Sequence, residues 1–350
     1  MRRLTQLICI MLLALAAKTT IAAPCLIVTL TGTQGGPSAY NGLAGSGTLV
    51  RYGDDSNHCN AVRLQFDAGR GTSMRLSQLE LTPAQLHAVF FTHLHSDHVD
   101  GFADLVQMRW HFNPGSNKLD VVCSTDAKAA SAHVMSCRNF TTHIGDAYLQ
   151  SGEIAQRQTE DKARAAAGPA ASINLLAFAA TDTTQVVWRS GELTVSAIRS
   201  THIAGHASYR VDTPAGSVVI GGDAGNDTDA PPRPSSTSAQ VEALAAGADI
   251  IVHSAIHPLM GPAAGSGMPA PIFYRQSTVT DLGSMAQRSG AKYLLLTHLI
   301  PPLGATRQGG WSVPGGSLTE THYRQAAQDG GFGGTVVVGT DLVSVRLPAK

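Results

Sequence analysis

Short aliphatic and β-branched runs alternate along the chain with Ala-rich segments compatible with helices. The runs "HAVFF", "LTVSAI", "SVVI", "DIIV" and "KYLLL" are close to continuously apolar. Such runs belong to strands covered on both faces, so the pattern predicts a mixed α/β protein with largely buried strands. "VDGFADLVQMRW" reads as a helix, and the terminal "GTVVVGTDLVSVRLP" as closing strands. "GNDTDAPPRPSSTS" (225–238) and "HPLMGPAAGSGMPAP" (257–271) read as loops through their Gly, Pro and Ser content. Neither divides the chain, and there is no short-period repeat or long low-complexity linker.

The same five runs stop on a ligand-type side chain: His93, His202, Asp223, His253 and His298. Functional groups collect at such an edge because strands hold them rigidly while loops give access. One such ending is ordinary; five point to a shared site. The densest is "FFTHLHSDHVDG" (90–101). His93 and His95 are two apart and so share a side of an extended segment, and Asp97 and His98 follow where the helix begins. Imidazole nitrogens and carboxylate oxygens together suit zinc, and also manganese or iron.

Composition narrows the classes. The start, "MRRLTQLICIMLLALAAKTTIAAPC", has two arginines, an apolar stretch from Leu7 to Ala17 and then small residues, the layout of a signal peptide. The stretch is short for a membrane span, and cleavage near Ala22 or Ala23 is expected. Pro24 before Cys25 spoils a lipoprotein pattern. This places the mature protein in the periplasm or outside the cell, with no transmembrane anchor. Removing residues 1–23 takes Arg2, Arg3 and Lys18 from 25 basic residues, leaving 22 against 25 acidic, a net charge of −3 with histidine neutral. The basic footprint of a nucleic-acid binder is missing. Cys25, Cys59, Cys123 and Cys137 remain, an even number in an exported chain. Three pairings exist; Cys25–Cys59 and Cys123–Cys137 each close a modest local loop and are favoured. No CxxC or zinc-ribbon spacing occurs.

At this point a family resemblance emerges. HxHxDH resembles the signature of the metallo-β-lactamase superfamily, and "FDAGRGT" (66–72), "STHIAGHASYR" (200–210), "VVIGGDAG" and "LLLTHL" follow in that family's order. "LTGTQGGPSA" and "FDAGRGT" are most similar to the branch holding ribonuclease Z and secreted arylsulfatases. The resemblance implies a four-layer αβ/βα sandwich formed by residues 24–350 as one hydrolase domain. It also implies two divalent metal ions, expected to be zinc, with manganese or iron as alternatives. His93, His95 and His202 would hold the first; Asp97, His98 and His298 the second. Asp223 would bridge both, with a shared hydroxide as nucleophile, so that Asp97 and Asp223 count as catalytic. His202 is preferred to His206 because it lies seven residues before Tyr209-Arg210, as in ribonuclease Z. His206 then becomes a supporting or substrate-facing residue, and Asp67 orients a ligand histidine by hydrogen bonding.

Departures from the family bear on the substrate. Only 21 positions separate His202 from Asp223, too few for a tRNA-gripping arm. Arg275 and Gln276 stand where ribonuclease Z carries its acid–base histidine, and Ser254 stands where it has glutamate. These features favour an exported hydrolase of small-molecule sulfate or phosphate esters over a tRNA-processing enzyme. Arg275 would complement an anionic oxygen if it faces the site. His253 and His257 are candidates for supporting groups or for a leaving-group acid. Trp110, His111 and Phe112 fit helix-to-core packing better than an aromatic-accepting pocket. A lactonase of the same superfamily is the main alternative. A class B β-lactamase lacks its Cys ligand, a flavodiiron protein its carboxylate and flavin domain. A non-catalytic binding protein would show broken ligands, whereas all seven are intact. Loops 31–46, 110–118 and 257–277 are expected to set specificity, and the oligomeric state is open, a homodimer included.

Overall fold

The computed structural model describes residues 22–112, 118–129, 131–164 and 168–349. The expected signal peptide lies almost wholly outside them. The amino-terminal half runs β1 (Pro24–Gly32), β2 (Gly47–Asp54), β3 (Val62–Phe66), α1 (Thr72–Gln78), β4 (Ala88–Phe90), α2 (Ser96–Val99) and α3 (Phe102–Phe112). It continues through β5 (Leu119–Ser124), a small hairpin of β6 (Ala127–Lys128) and β7 (Val134–Met135), α4 (Cys137–Gln150), α5 (Glu153–Glu160) and β8 (Ile173–Phe178). The carboxy-terminal half begins with β9 (Gln185–Ser190), β10 (Leu193–Arg199), β11 (Ala207–Thr213) and β12 (Gly216–Ile220). Then come α6 (Ala239–Ala245), β13 (Ile250–Ile256), α7 (Ala270–Tyr274), α8 (Val279–Ser289) and β14 (Tyr293–Ile300). A hairpin of β15 (Arg307–Gln308) and β16 (Trp311–Ser312), then α9 (Glu320–Asp329), β17 (Thr335–Val338) and β18 (Ser344–Leu347), complete it.

Two seven-stranded sheets result, ordered β18-β1-β2-β3-β4-β5-β8 and β17-β14-β13-β12-β11-β10-β9. The terminal strands close both: β18 pairs antiparallel with β1, and β17 parallel with β14. Strand alternation explains the continuous apolar runs. In β4, Ala88 and Phe90 face a core shared with Tyr209, Val211 and Leu295 of the other sheet. The intervening Val89, with Phe91 beyond the strand, packs instead with Leu76, Leu105 and Val106 from α1 and α3. Ile250 and Val252 of β13 likewise join the central core, while Ile251 joins Leu244, Leu282 and Tyr323 beneath α6, α8 and α9. Helix–sheet–sheet–helix layering is the αβ/βα sandwich.

Helix starts follow their caps: Ser136, Ser238 and Thr278 accept from backbone N–H groups at the openings of α4, α6 and α8. Disulfides Cys25–Cys59 and Cys123–Cys137 are both present, the second tying β5 to the first turn of α4. No helix among the described residues is long and apolar enough to cross a membrane.

The strand-end expectation needs one correction. β13 and β14 do not stop at His253 and His298 but run on to Ile256 and Ile300. The parallel register between them shifts at Ser254/Ala255. His298 itself takes a left-handed backbone, φ 46°, as does Asp67, φ 54°. A non-glycine residue pays strain for that conformation, and both positions lie at the edge where the sheets meet.

Candidate metal centre

The turn after β4 carries His93 and His95, and α2 begins at once with Asp97 and His98 on its single turn. "FDAGRGT" supplies the floor. A Cβ on Gly69 would sit 2.2 Å from the Asp97 carbonyl oxygen, so only glycine lets the two segments pack this closely. The second sheet contributes His202 after β10, Asp223 after β12 and His298 within β14.

Inward-facing atoms converge. His95 Nδ1 is 2.9 Å from His93 Nε2 and 3.3 Å from His202 Nε2. His298 Nε2 lies 3.0 Å from Asp97 Oδ2 and 3.3 Å from Asp223 Oδ2. Asp223 stands between the groups, with Oδ1 3.5 Å from His98 Nε2 and Oδ2 3.6 Å from His202 Nε2. Three sets, His93/His95/His202, His93/His98/Asp223 and Asp97/His98/His298, each keep their donor atoms within 4.8 Å of one another.

Outward nitrogens are tied down. His98 Nδ1 donates to Asp67 Oδ2 at 2.8 Å, and Asp67 also accepts from Thr92 N–H and Oγ1–H at 2.8 Å. With Thr92 Oγ1–H so committed, its oxygen accepts from His93 Nδ1 at 3.1 Å. His202 Nδ1 donates to the Arg275 carbonyl at 3.3 Å. Each bond fixes a tautomer that leaves the Nε2 lone pair pointing inward.

The donor set fits divalent cations. His98 Nε2 and Asp223 Oδ1 are buried without a hydrogen-bond partner among the described residues, and lone pairs of His93, His95 and His202 face one another. Leaving such groups unmatched costs about 1–3 kcal/mol each, which a shared cation removes. Charge tells the same story. Burial holds His93 well below the ordinary imidazole range and pushes His202 down to about 3, so both rings are neutral at pH 7, the state in which a histidine can ligate a metal. Burial opposes charge at His98 and His298 as well, yet the Asp223 carboxylate, helped by Asp67 and Asp97, draws both above that range. Burial would likewise neutralise Asp97 and Asp223, but the histidines around them hold both carboxyls well below the usual range. The acids thus demand positive charge at the point where the lone pairs meet. N,O donors of this kind suit zinc, manganese or iron.

A family model described as "Anti-Pycsar protein Apyc1" matches residues 57–132, the stretch containing Asp67 and His93–His98. Ribonuclease Z of Mycobacterium sp. (strain KMS) is 27% identical over 286 residues, 81% of this chain and 87% of its own. Among solved structures, the metallo-β-lactamase-fold protein YhfI from Bacillus subtilis superposes with a TM-score of 0.58 at 18% identity, covering 93% of this chain and 100% of its own. Human tRNase Z, short form, does so with a TM-score of 0.58 at 16% identity, over 92% and 100%. The chain has the metallo-β-lactamase fold and is similar over most of its length to ribonuclease Z. Its two-sheet sandwich carries the histidine–aspartate cluster at the sheets' common edge.

Other candidate residues fall away from the open face of the cluster. His206 is buried beneath the cluster: Nε2 accepts from Asp223 N–H at 3.2 Å and Nδ1 meets Ser200 Oγ at 2.8 Å. It braces the turn that presents Asp223 and is not among the residues lining the cavity. His253 is fully buried, with Nδ1 donating to the Ser254 carbonyl at 2.8 Å, and lies behind Gly221 rather than on the cavity. His257 caps the short turn at Leu259 and meets the Tyr323 ring edge-on, 5.2 Å between centroids. Neither offers a leaving-group acid. Trp110 is buried in the α3 packing, and Phe112 is 71% exposed.

A cavity of about 320 Å³ opens over the cluster. Two of the loops named from sequence supply its wall, through Gly36–Ser38 and Ile272–Gln276. Residues 113–117 of the third lie outside the described ones. Unforeseen were Gln308–Trp311 of the β15–β16 hairpin, and the Gly36 N–H, 3.1 Å from His298 Nε2. The Gly309-Gly310 pair between Gln308 and Trp311 was the available signal for that hairpin.

Proposed function

We propose that this hydrolase cleaves anionic phosphate or sulfate esters of small molecules, using two divalent cations held by its seven-residue cluster, and that it works outside the cytoplasm. The observation that carries the reading is Arg275. Arg275 is among the residues lining the cavity with His95 and His202, its charge is felt by both histidines, and its buried Nε has no hydrogen-bond partner among the described residues. A guanidinium left free in a cavity wall recognises an anion in fork geometry. A neutral lactone gives it nothing to bind, which favours the ester over the lactonase reading.

His93, His95 and His202 would hold one cation, and Asp97, His98 and His298 the other, with Asp223 between them. Bound there, the cations supply activated water near pH 7 and neutralise charge on the attacked group. Asp67, Thr92 and the Arg275 carbonyl keep the histidines in the ligating tautomer. The cavity's Ile272, Ile300 and Trp311 exclude water around the ester, and Arg275 orients its anionic oxygen.

The curated relatives are ribonuclease Z, which supports a phosphodiester-cleaving chemistry. A tRNA substrate is disfavoured on this chain. Between His202 and Asp223 there is only the tight β11–β12 hairpin, and the expected mature net charge is −3. Two disulfides accord with an oxidising compartment. The deciding experiment is a hydrolysis panel on zinc- or manganese-loaded protein. It sets aryl sulfates and phosphate mono-, di- and triesters against acyl-homoserine lactones and precursor tRNA. Turnover of anionic esters that falls at least 100-fold in Arg275→Ala is the expected result; preference for lactone or tRNA overturns it.

A further inference from the structure

The loop joining β1 to β2 is gripped at both ends by one side chain from the far end of the chain. Asp341, in the turn between β17 and β18, accepts through Oδ1 from Thr33 N–H at 3.0 Å and Thr33 Oγ1–H at 2.7 Å. Its Oδ2 accepts from Ala44 N–H at 2.8 Å and from Arg75 Nε of α1 at 2.7 Å. The carboxylate is largely buried, and Arg75 also donates to the Gly42 carbonyl of the same loop. Buried bonds to an ionised group are the strong kind. The anchor is itself fixed: Leu342 N–H donates to the Leu30 carbonyl at 2.7 Å, and Leu30 N–H to the Val343 carbonyl at 3.0 Å.

Between those grips the loop lies along β14 at His298. Thr33 accepts from Leu299 N–H at 3.0 Å, and Gln34 forms a parallel bridge with Leu299. A Cβ on Gly35 would lie 2.7 Å from the His298 carbonyl oxygen, so glycine is what lets loop and strand touch there. The Gly36 N–H then reaches His298 Nε2 at 3.1 Å. His298 needs such support. β13 skips it, passing from Ser254 opposite Thr297 to Ala255 opposite Leu299, and the pairing with β17 has stopped at Leu296. His93, His98 and His202 are each turned by a bond at Nδ1, whereas His298 Nδ1 has no partner among the described residues. A non-glycine residue stays left-handed only where its surroundings over-determine it, and here the bracketing contacts come from the loop.

We infer that Asp341 is a positioning residue for the metal centre: by gripping both ends of loop 33–44 it holds that loop against β14 and so fixes the His298 ring as a ligand. This rests on the two-cation reading above. Asp341 acts through Thr33–Gly36 alone and is not among the residues lining the cavity, whereas Gly36–Ser38 of the same loop form part of its wall.

The test titrates cobalt(II) into the mature protein, following each binding step by calorimetry and by the visible absorption of the bound ion. His298→Ala marks which step belongs to that ligand. In Asp341→Ala this step is expected to weaken at least about tenfold, with its absorption bands shifted, while the other step matches wild type. Thr33→Val keeps the shape and removes only the hydroxyl donor to Oδ1, and is expected to show part of that loss. The Cys123→Ser/Cys137→Ser double variant controls for stability, being expected to lower the urea midpoint and leave both steps unchanged. A lowered urea midpoint in Asp341→Ala with both steps as in wild type overturns the inference, as does equal weakening of the two. Should Asp341→Ala not fold, Asp341→Asn and Thr33→Val decide: an unchanged His298 step in both overturns it. If wild type binds no cobalt, the two-cation reading fails and the Gly36 amide proton resonance decides the clamp. A displaced resonance in Asp341→Asn sustains it, and an unmoved one overturns it.

Discussion

Asp67 commits both carboxylate oxygens to neighbours: Oδ1 to Thr92 N–H, Oδ2 to Thr92 Oγ1–H and His98 Nδ1–H. It adopts a left-handed backbone to do so. Asp67→Asn keeps the volume but offers N–H groups where acceptors are needed, so His98 loses its tautomer lock. Zinc affinity is expected to drop about 10–100-fold, read by competition against a chromogenic chelator, with the fold retained. His202 and His206 separate in the same way. His202→Ala is expected to abolish ester hydrolysis and halve bound metal, measured by elemental analysis. His206→Ala removes a bond to Asp223 N–H and is expected to cost about 1–3 kcal/mol in urea unfolding while metal content stays near wild type. Sequence spacing could rank these two histidines, but only the cluster geometry separates a ring among the ligand atoms from one beneath them. HxHxDH was legible because four donors come from six consecutive positions. Arg275 was legible only as a departure from a family pattern, since its place on the wall depends on contacts with residues 50 to 200 positions away.

Among the elements, helices and buried strands could be read from periodicity because each strand feeds two apolar layers. What periodicity could not show is where a strand ends when its ligand sits in mid-run. β14 stays apolar past His298, and the departure is a single left-handed residue rather than a stop. The β15–β16 hairpin was equally hidden, being two residues a side. Gly225 makes the turn after β12 a sensitive point, since a Cβ there would lie 2.6 Å from the Arg275 carbonyl oxygen. Gly225→Ala forces the Arg275 segment away, and kcat/KM on aryl esters is expected to fall at least tenfold while unfolding midpoints barely move. The disulfides are the opposite kind of feature. Spanning 34 and 14 residues, each restricts the unfolded chain by about 3–4 kcal/mol on chain-entropy grounds. Replacing Cys123 and Cys137 by Ser is expected to cost roughly 2–4 kcal/mol in urea unfolding and leave specific activity intact.

For the whole molecule, a buried cluster of mutually facing donors would make any metal it binds part of the folded state. Chelation is expected to abolish hydrolysis and lower the thermal midpoint, with zinc or manganese restoring both; a ligand at a thousand times its Kd adds about 4 kcal/mol. The sandwich was legible from motif order along the chain, whereas the cavity over the cluster was not, because loops from both halves build it. That division has its own consequence. Asp67 and His93–His98 belong to one sheet's half; His202, Asp223 and His298 belong to the other. Neither half alone carries all seven candidate ligands, so the full set that would hold two cations is assembled only where the two halves pack together.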